Sequence, residues 1–109
     1  MRVLKFIVHG KTLELDPTCD FSGLFPGREA EVKAVFSFSN EWTPAIKVVA
    51  FESVTGIEYT PQVLDDENSC FIPTEALARS VFKLQVIGKH AKTRFKTNTV
   101  RVYQRGGKT

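Results

Sequence analysis

Acidic residues are missing from the last third of this chain, and cysteines and long apolar runs are scarce throughout. All twelve aspartates and glutamates lie within residues 1–75, whereas the segment 76–109 contains nine lysines and arginines. No apolar run approaches the roughly 20 residues of a membrane-spanning helix, so no membrane association is expected. Positive charge is therefore concentrated in one part of a chain whose composition is typical of a single globular domain.

The scarcity of cysteine limits the use of disulfides. Only Cys19 and Cys70 are present, and without a secretion signal they are expected to be reduced thiols of a protein made in a cytoplasm. An alternative is that Cys19, Trp42 and Cys70 form an immunoglobulin signature, in which a tryptophan packs on an inter-sheet disulfide. Against it, Cys19 lies in the turn-like D-P-T-C-D, and Asn68 stands where that signature has a tyrosine.

Short alternating segments between turn sequences predict an all-β protein. The predicted strands are 2–8, 12–15, 29–38, 46–52, 57–64, 69–72, 81–87 and 99–103, with a ninth at 93–96. Strands of this length and spacing predict an immunoglobulin-like antiparallel β-sandwich. We expect one domain over residues 1–104 and a flexible tail at 105–109.

The same alternation predicts the core. The residues expected to face inward are Val32, Ala34, Phe36, Phe38, Phe82, Leu84 and Val86, whereas Lys33, Ser37, Lys83 and Gln85 are expected to face outward. One short helix is predicted over 73–79, where Thr74 can cap and Glu75 sits at the positive end.

Trp42 has two interpretations. It follows Asn40 and Glu41 and precedes Pro44, so it stands where a strand begins and its ring can seal the end of the sandwich. Alternatively it is an exposed anchor for a partner, since tryptophan is enriched at binding hot spots.

The charge asymmetry also has two interpretations. Late lysines and arginines can meet early carboxylates across the sheet, because strands distant in sequence can lie side by side. The alternative is an anionic partner for the basic half. The first interpretation is favoured, since aromatic residues are not interleaved with the basic ones as in single-strand binders.

Nothing in the sequence assembles a catalytic constellation. His9 and His90 lie in predicted turns without further ligands at metal-binding spacing. The acidic run 65–68 lacks the regular spacing and central glycine of a calcium loop and is better explained as a solvated hairpin turn. No cofactor, metal or enzymatic activity is therefore expected.

Several segments resemble a known family. The succession A-V-F-S-F-S-N-E-W, I-K-V-V-A-F, D-D-E-N-S-C-F-I-P-T-E-A-L, V-F-K-L-Q-V-I-G and T-N-T-V-R-V covers about 29–103 and resembles an N-terminal β-sandwich module. That module belongs to baseplate and tail-fibre scaffold proteins of phages of Gram-positive bacteria. The resemblance implies a non-enzymatic attachment role in the virion tail, after synthesis in the bacterial host cytoplasm. It implies other phage structural proteins or further copies of the chain as partners.

Candidate partner-binding residues are Glu41, Trp42, Tyr59, Arg94 and Arg101, each expected at an exposed position. A second hypothesis is a small phage-encoded protein that binds and inhibits a host defence or nucleic-acid enzyme, using the basic half against an anionic surface. Direct binding of nucleic acid is not expected, because the basic strands carry no stacking platform.

Overall fold

The computed structural model describes residues 1–26 and 31–104. Its elements, in chain order, are β1 (Arg2–His9), β2 (Thr12–Leu15), β3 (Val32–Phe38), a 3₁₀ turn (Asn40–Trp42), β4 (Ile46–Glu52), β5 (Gln62–Val63), β6 (Ser69–Phe71), α1 (Thr74–Leu77), β7 (Val81–His90), β8 (Thr93–Lys96) and β9 (Val100–Tyr103). The predicted all-β sandwich with one short helix is confirmed. The predicted tail at 105–109 and the first residues of the predicted strand 29–38 lie outside the described residues.

The strands form two sheets. The first has the order β2-β1-β3-β6, and the second has the order β5-β4-β7-β8 with β9 also paired to β7. Strand β7 pairs with β4 on one side, while its other side pairs with β9 over 81–84 and with β8 over 87–90. The pairing is antiparallel except between β1 and β3, which run parallel. The antiparallel prediction needs this correction because the chain returns after β2 to the end where β1 starts, as parallel pairs require.

Asn98 joins the two sheets at one side. It lies between β8 and β9, where the edge of the second sheet faces strand β2. Its Oδ1 accepts from the Leu13 backbone N–H at 2.7 Å, and its Nδ2 donates to the Leu13 carbonyl at 3.1 Å. One side chain thus satisfies both backbone groups of a residue on an edge strand, which protects that edge from pairing with other chains.

Alternating side chains from both sheets meet in one core. The predicted core residues Val32, Ala34, Phe36, Phe82, Leu84 and Val86 are buried, as expected. Phe38 is only half-buried, and the Lys47 Nζ lies 5.3 Å from its ring centroid. Phe6 stacks on Phe36 with ring centroids 5.1 Å apart. The alternation of β3 and β7 therefore fixes which faces of the two sheets pack together.

The predicted strand 57–64 is largely irregular. Only Gln62–Val63 is a regular strand, preceded by an isolated bridge between Glu52 and Glu58. Pro61 lies between these two contacts, and proline has no N–H to donate to a ladder. The segment therefore follows β4 without forming a continuous strand.

The predicted helix is shorter than expected and is capped differently. Helix α1 covers Thr74–Leu77 and Pro73 occupies the N-cap without a side-chain hydrogen bond, so Thr74 is helical and does not cap. The fixed φ of proline suits the entry to a helix. In the part of the chain that the structure describes, no helix has the length and apolar character needed to cross a membrane.

Both cysteines are free thiols. Cys70 is buried on β6, and burial raises its pKa to about 12, with a smaller contribution from Asp65. Cys19 is half-buried, and its Sγ accepts from the Lys5 backbone N–H at 3.4 Å. The buried thiol of Cys70 is therefore protonated at neutral pH and behaves as a small apolar side chain.

Candidate docking surface

The outer face of the second sheet carries a group of five basic side chains. Paired residues point to the same side of a sheet, so the register places Lys83, Lys89, Arg94, Lys96 and Arg101 together on the face away from the core. We call these five residues the basic strip. Lys83 Nζ lies 3.1 Å from Glu52 Oε1, and this is the one ion pair between described residues. We predicted that the late lysines and arginines pair with early carboxylates on neighbouring strands. Among the described residues, only Lys83 does so.

A groove crosses the same face. Two adjoining cavities of about 350 and 360 Å³ share Gln85, Ile87 and Arg94. Val48, Ala50 and Ile87 form its floor, Glu58, Tyr59 and Pro61 form one wall, and Arg94 and Lys96 form the other. The lining is completed by Phe51, Glu52, Gln85 and Phe95. The register places Val48 opposite Ile87 and Ala50 opposite Gln85. The floor is therefore aliphatic, and one wall is basic.

Gln85 is held in place within the groove. Its Nε2 donates to the Thr97 carbonyl at 2.6 Å. Thr97, at the break between β8 and β9, is fixed in turn, because its N–H donates to the Val86 carbonyl at 3.0 Å and its Oγ1 accepts from the Val86 N–H at 3.1 Å. The break in the edge strand therefore positions a polar group beside the aliphatic floor.

Tyr59 lies on the wall opposite the basic residues. Its backbone N–H donates to the Phe51 carbonyl at 2.9 Å, and its ring is half-buried against the core. The hydroxyl is enclosed and is the one buried side-chain polar atom among the described residues that has no hydrogen-bond partner. Tyr59 is therefore less exposed than predicted, because the irregular segment before β5 turns its ring inward.

We expect Tyr59→Phe to raise the free energy of unfolding by about 1 kcal/mol, because it removes a polar group that is desolvated without a compensating hydrogen bond. Urea unfolding followed by circular dichroism measures the change. Tyr103→Phe is the matched control, since Tyr103 is 63% exposed and its hydroxyl remains in water. A loss of stability in Tyr59→Phe would contradict the assignment of an unpartnered hydroxyl.

Trp42 is fully buried, with a relative exposure of 0%. Its Nε1 donates to the Gly10 carbonyl at 2.7 Å. Its ring centroid lies 4.7 Å from that of Phe95 and 5.1 Å from that of Phe38. The prediction of an exposed position is therefore wrong for Trp42, and its burial supports the interpretation that it seals the end of the sandwich. The 3₁₀ turn causes this, because it directs the ring back over Gly88 on β7.

Glu41 is exposed on the same 3₁₀ turn as Trp42, away from the groove. Its carboxylate accepts hydrogen bonds from its own backbone N–H and from the Ser39 hydroxyl, and these bonds lower its pKa, with a smaller contribution from His9. Arg94 and Arg101 are exposed as predicted. The structure thus brings Tyr59 and Arg94 together in the groove, leaves Arg101 farther along the same face and separates Glu41 and Trp42 from it.

The described residues bring no three histidine, cysteine, aspartate or glutamate side chains together in an arrangement that could hold a metal ion. In the acidic turn 65–68, Asp65 Oδ1 accepts from the backbone N–H groups of Glu67 and Ser69 at 2.9 Å each. The bonds to the Ser69 backbone and hydroxyl, followed by that to Glu67, lower the pKa of Asp65. This carboxylate therefore closes a turn, as predicted. The prediction of a hairpin was wrong, because the turn joins β5 of the second sheet to β6 of the first.

Comparison with protein-family models, with curated proteins and with solved structures finds no match for this chain.

Proposed function

We propose that this chain is a non-enzymatic attachment module that docks onto another protein through the outer face of its second sheet. One observation carries the proposal: Arg94 and Lys96, which form no ion pair with any other described residue, line one wall of a groove with an aliphatic floor. Apolar surface that is left open in a folded domain is typical of interaction sites. Unpaired charges at its rim favour partners of opposite charge and accelerate their association.

The setting we propose is the tail or baseplate of a phage virion. The sequence resemblance over residues 29–103 supports it, and a compact sandwich is compatible with it. The partners would be other virion proteins or further copies of the chain. The basic strip also favours a second candidate, a host-directed inhibitor that binds an anionic surface of a bacterial enzyme.

The test compares two double charge reversals in phage particles. Arg94→Glu with Arg101→Glu changes the docking face, whereas Lys5→Glu with Lys11→Glu makes the same change in net charge at exposed positions near the first sheet. The encoding phage is grown with each variant, and mass spectrometry of purified particles measures how much of the chain they contain. We expect the first variant to be depleted from particles and the control to be retained.

Different outcomes separate the two candidates. If the native chain is absent from particles and copurifies with a host enzyme in a salt-sensitive complex, the virion role is overturned and the inhibitor is supported. If the chain is present in particles and both double variants are retained equally, it attaches through another surface. Light scattering at low and moderate salt then determines whether copies of the chain associate with one another.

A further inference from the structure

We propose that the groove binds an extended acidic segment of the partner protein, with one aliphatic side chain on the floor and carboxylates against Arg94 and Lys96. The inference rests on the proposed attachment function and names the ligand of the same face. Two observations support it: the floor is formed by the aliphatic side chains of Val48, Ala50 and Ile87, and the wall beside it carries the positive charges of Arg94 and Lys96.

The size of the groove fits a short stretch of extended chain. The groove runs across the sheet from the segment before β5, over β4 and β7, to β8. Neighbouring strands lie about 4.8 Å apart, so this path is about 14 Å long. An extended peptide advances about 3.3 Å per residue, so about four residues cover it. An aliphatic side chain in the middle of such a segment meets the floor, and acidic neighbours on its β8 side meet the basic wall.

The charges of the groove favour a peptide over a nucleic acid. Glu52 and Glu58 also line the groove, on the side opposite Arg94. A peptide can present carboxylates to the basic wall alone, whereas a phosphate backbone laid across the face would meet the two glutamates. Three aromatic residues line the groove, but Phe51 is buried and Phe95 and Tyr59 are partly buried against the core, so none is a fully exposed platform for a base.

The acidic turn 65–68 of a second copy is a poor occupant. Its residues form a closed turn, and Asp65 Oδ1 already accepts three hydrogen bonds, from the backbone of Glu67 and from the backbone and hydroxyl of Ser69. Extending this segment to fit the groove would break those bonds. A separate acidic segment of a partner has no such cost.

Fluorescence anisotropy tests the inference with three labelled probes: a peptide in which two serines precede one leucine and two glutamates follow it, the same peptide with serine in place of leucine, and an oligothymidylate of equal net charge. We expect saturable binding of the leucine peptide that weakens with salt. Arg94→Glu should weaken it about tenfold, equal to about 1.4 kcal/mol, and Ile87→Ser should remove the preference for leucine over serine. Lys5→Glu is the control and should bind normally.

Each outcome decides the question. Absence of peptide binding, binding that Arg94→Glu leaves unchanged, or equal binding of both peptides overturns the inference. Tighter binding of the oligothymidylate also overturns it and assigns the face to nucleic acid. Arg94 is exposed, so its variant should fold, and circular dichroism checks this. If the peptide fails while the Arg94 and Arg101 reversals still remove the chain from particles, the docking function stands without this ligand. If the peptide binds but the native chain is absent from particles, the virion role fails and the ligand assignment stands.

Discussion

Trp42→Ala is expected to lower the free energy of unfolding by about 3–5 kcal/mol, because it leaves a large cavity at one end of the sandwich. The ring it removes is fully buried between Phe38 and Phe95. Domains of this size have a total stability of about 5–15 kcal/mol, so the variant should lose a large part of its stability. Urea unfolding followed by far-ultraviolet circular dichroism measures the loss. Fluorescence cannot be compared between the two proteins, since Trp42 is the only tryptophan.

Trp42→Phe is the matched variant. It keeps an aromatic ring but loses the Nε1 donor, which leaves the Gly10 carbonyl without this partner. A buried acceptor without a partner costs about 1–3 kcal/mol, so we expect an intermediate stability. If Trp42→Ala were as stable as the native protein but bound its partner less well, the sealing role would be wrong and the hot-spot interpretation would return.

The core could be predicted because the strands that build it alternate regularly. In β3 and β7 every second residue is apolar, and a side-chain period of two then determines which face is buried. Trp42 could not be placed in this way, because it lies in a 3₁₀ turn outside both strands. Its position depends on contacts with Gly88 and Phe95, which are distant in sequence.

The groove left a weaker signal in the sequence. The run I-K-V-V-A-F of β4 places apolar residues on both faces of the strand, and in β7 the apolar Ile87 lies between the outward polar residues Gln85 and Lys89. Both features indicate an outer face that is not fully solvated. Sequence reasoning missed Val48, Ala50 and Ile87 as site residues because only the pairing of β4 with β7 brings them together.

Tyr59 and Arg94 were predicted as separate candidates, and their proximity could not be inferred. It depends on the irregular segment before β5 and on the pairing of β7 with β8. The break at Thr97 is equally hard to predict. Thr97 follows the last residue of β8, yet it still bonds to both the N–H and the carbonyl of Val86 on β7. Local patterns thus determined strands and faces, and long-range pairing determined the site.

Gly88→Ala is expected to lower the free energy of unfolding by about 1–3 kcal/mol through overpacking. A Cβ at this position would lie 2.6 Å from Trp42 Cζ3 and 2.8 Å from Phe95 Cε2. Where space and backbone conformation allow, replacing glycine by alanine usually stabilises a protein by about 0.4–1 kcal/mol. The sign of the change is therefore informative, and equilibrium urea unfolding measures it.

A double-mutant cycle with Trp42→Phe tests whether the loss of stability in Gly88→Ala comes from a clash with the Trp42 ring. The smaller ring removes the atoms nearest to the added methyl group, so Gly88→Ala should cost less in the Trp42→Phe background than in the native one. Residues in contact usually show interaction energies of about 0.5–3 kcal/mol, and we expect a value in this range. An additive result would mean that Trp42 and position 88 do not compete for the same space. In that case the absence of a side chain at Gly88 would have to be explained by Phe95, which lies at 2.8 Å, and Phe95→Leu would then relieve the cost.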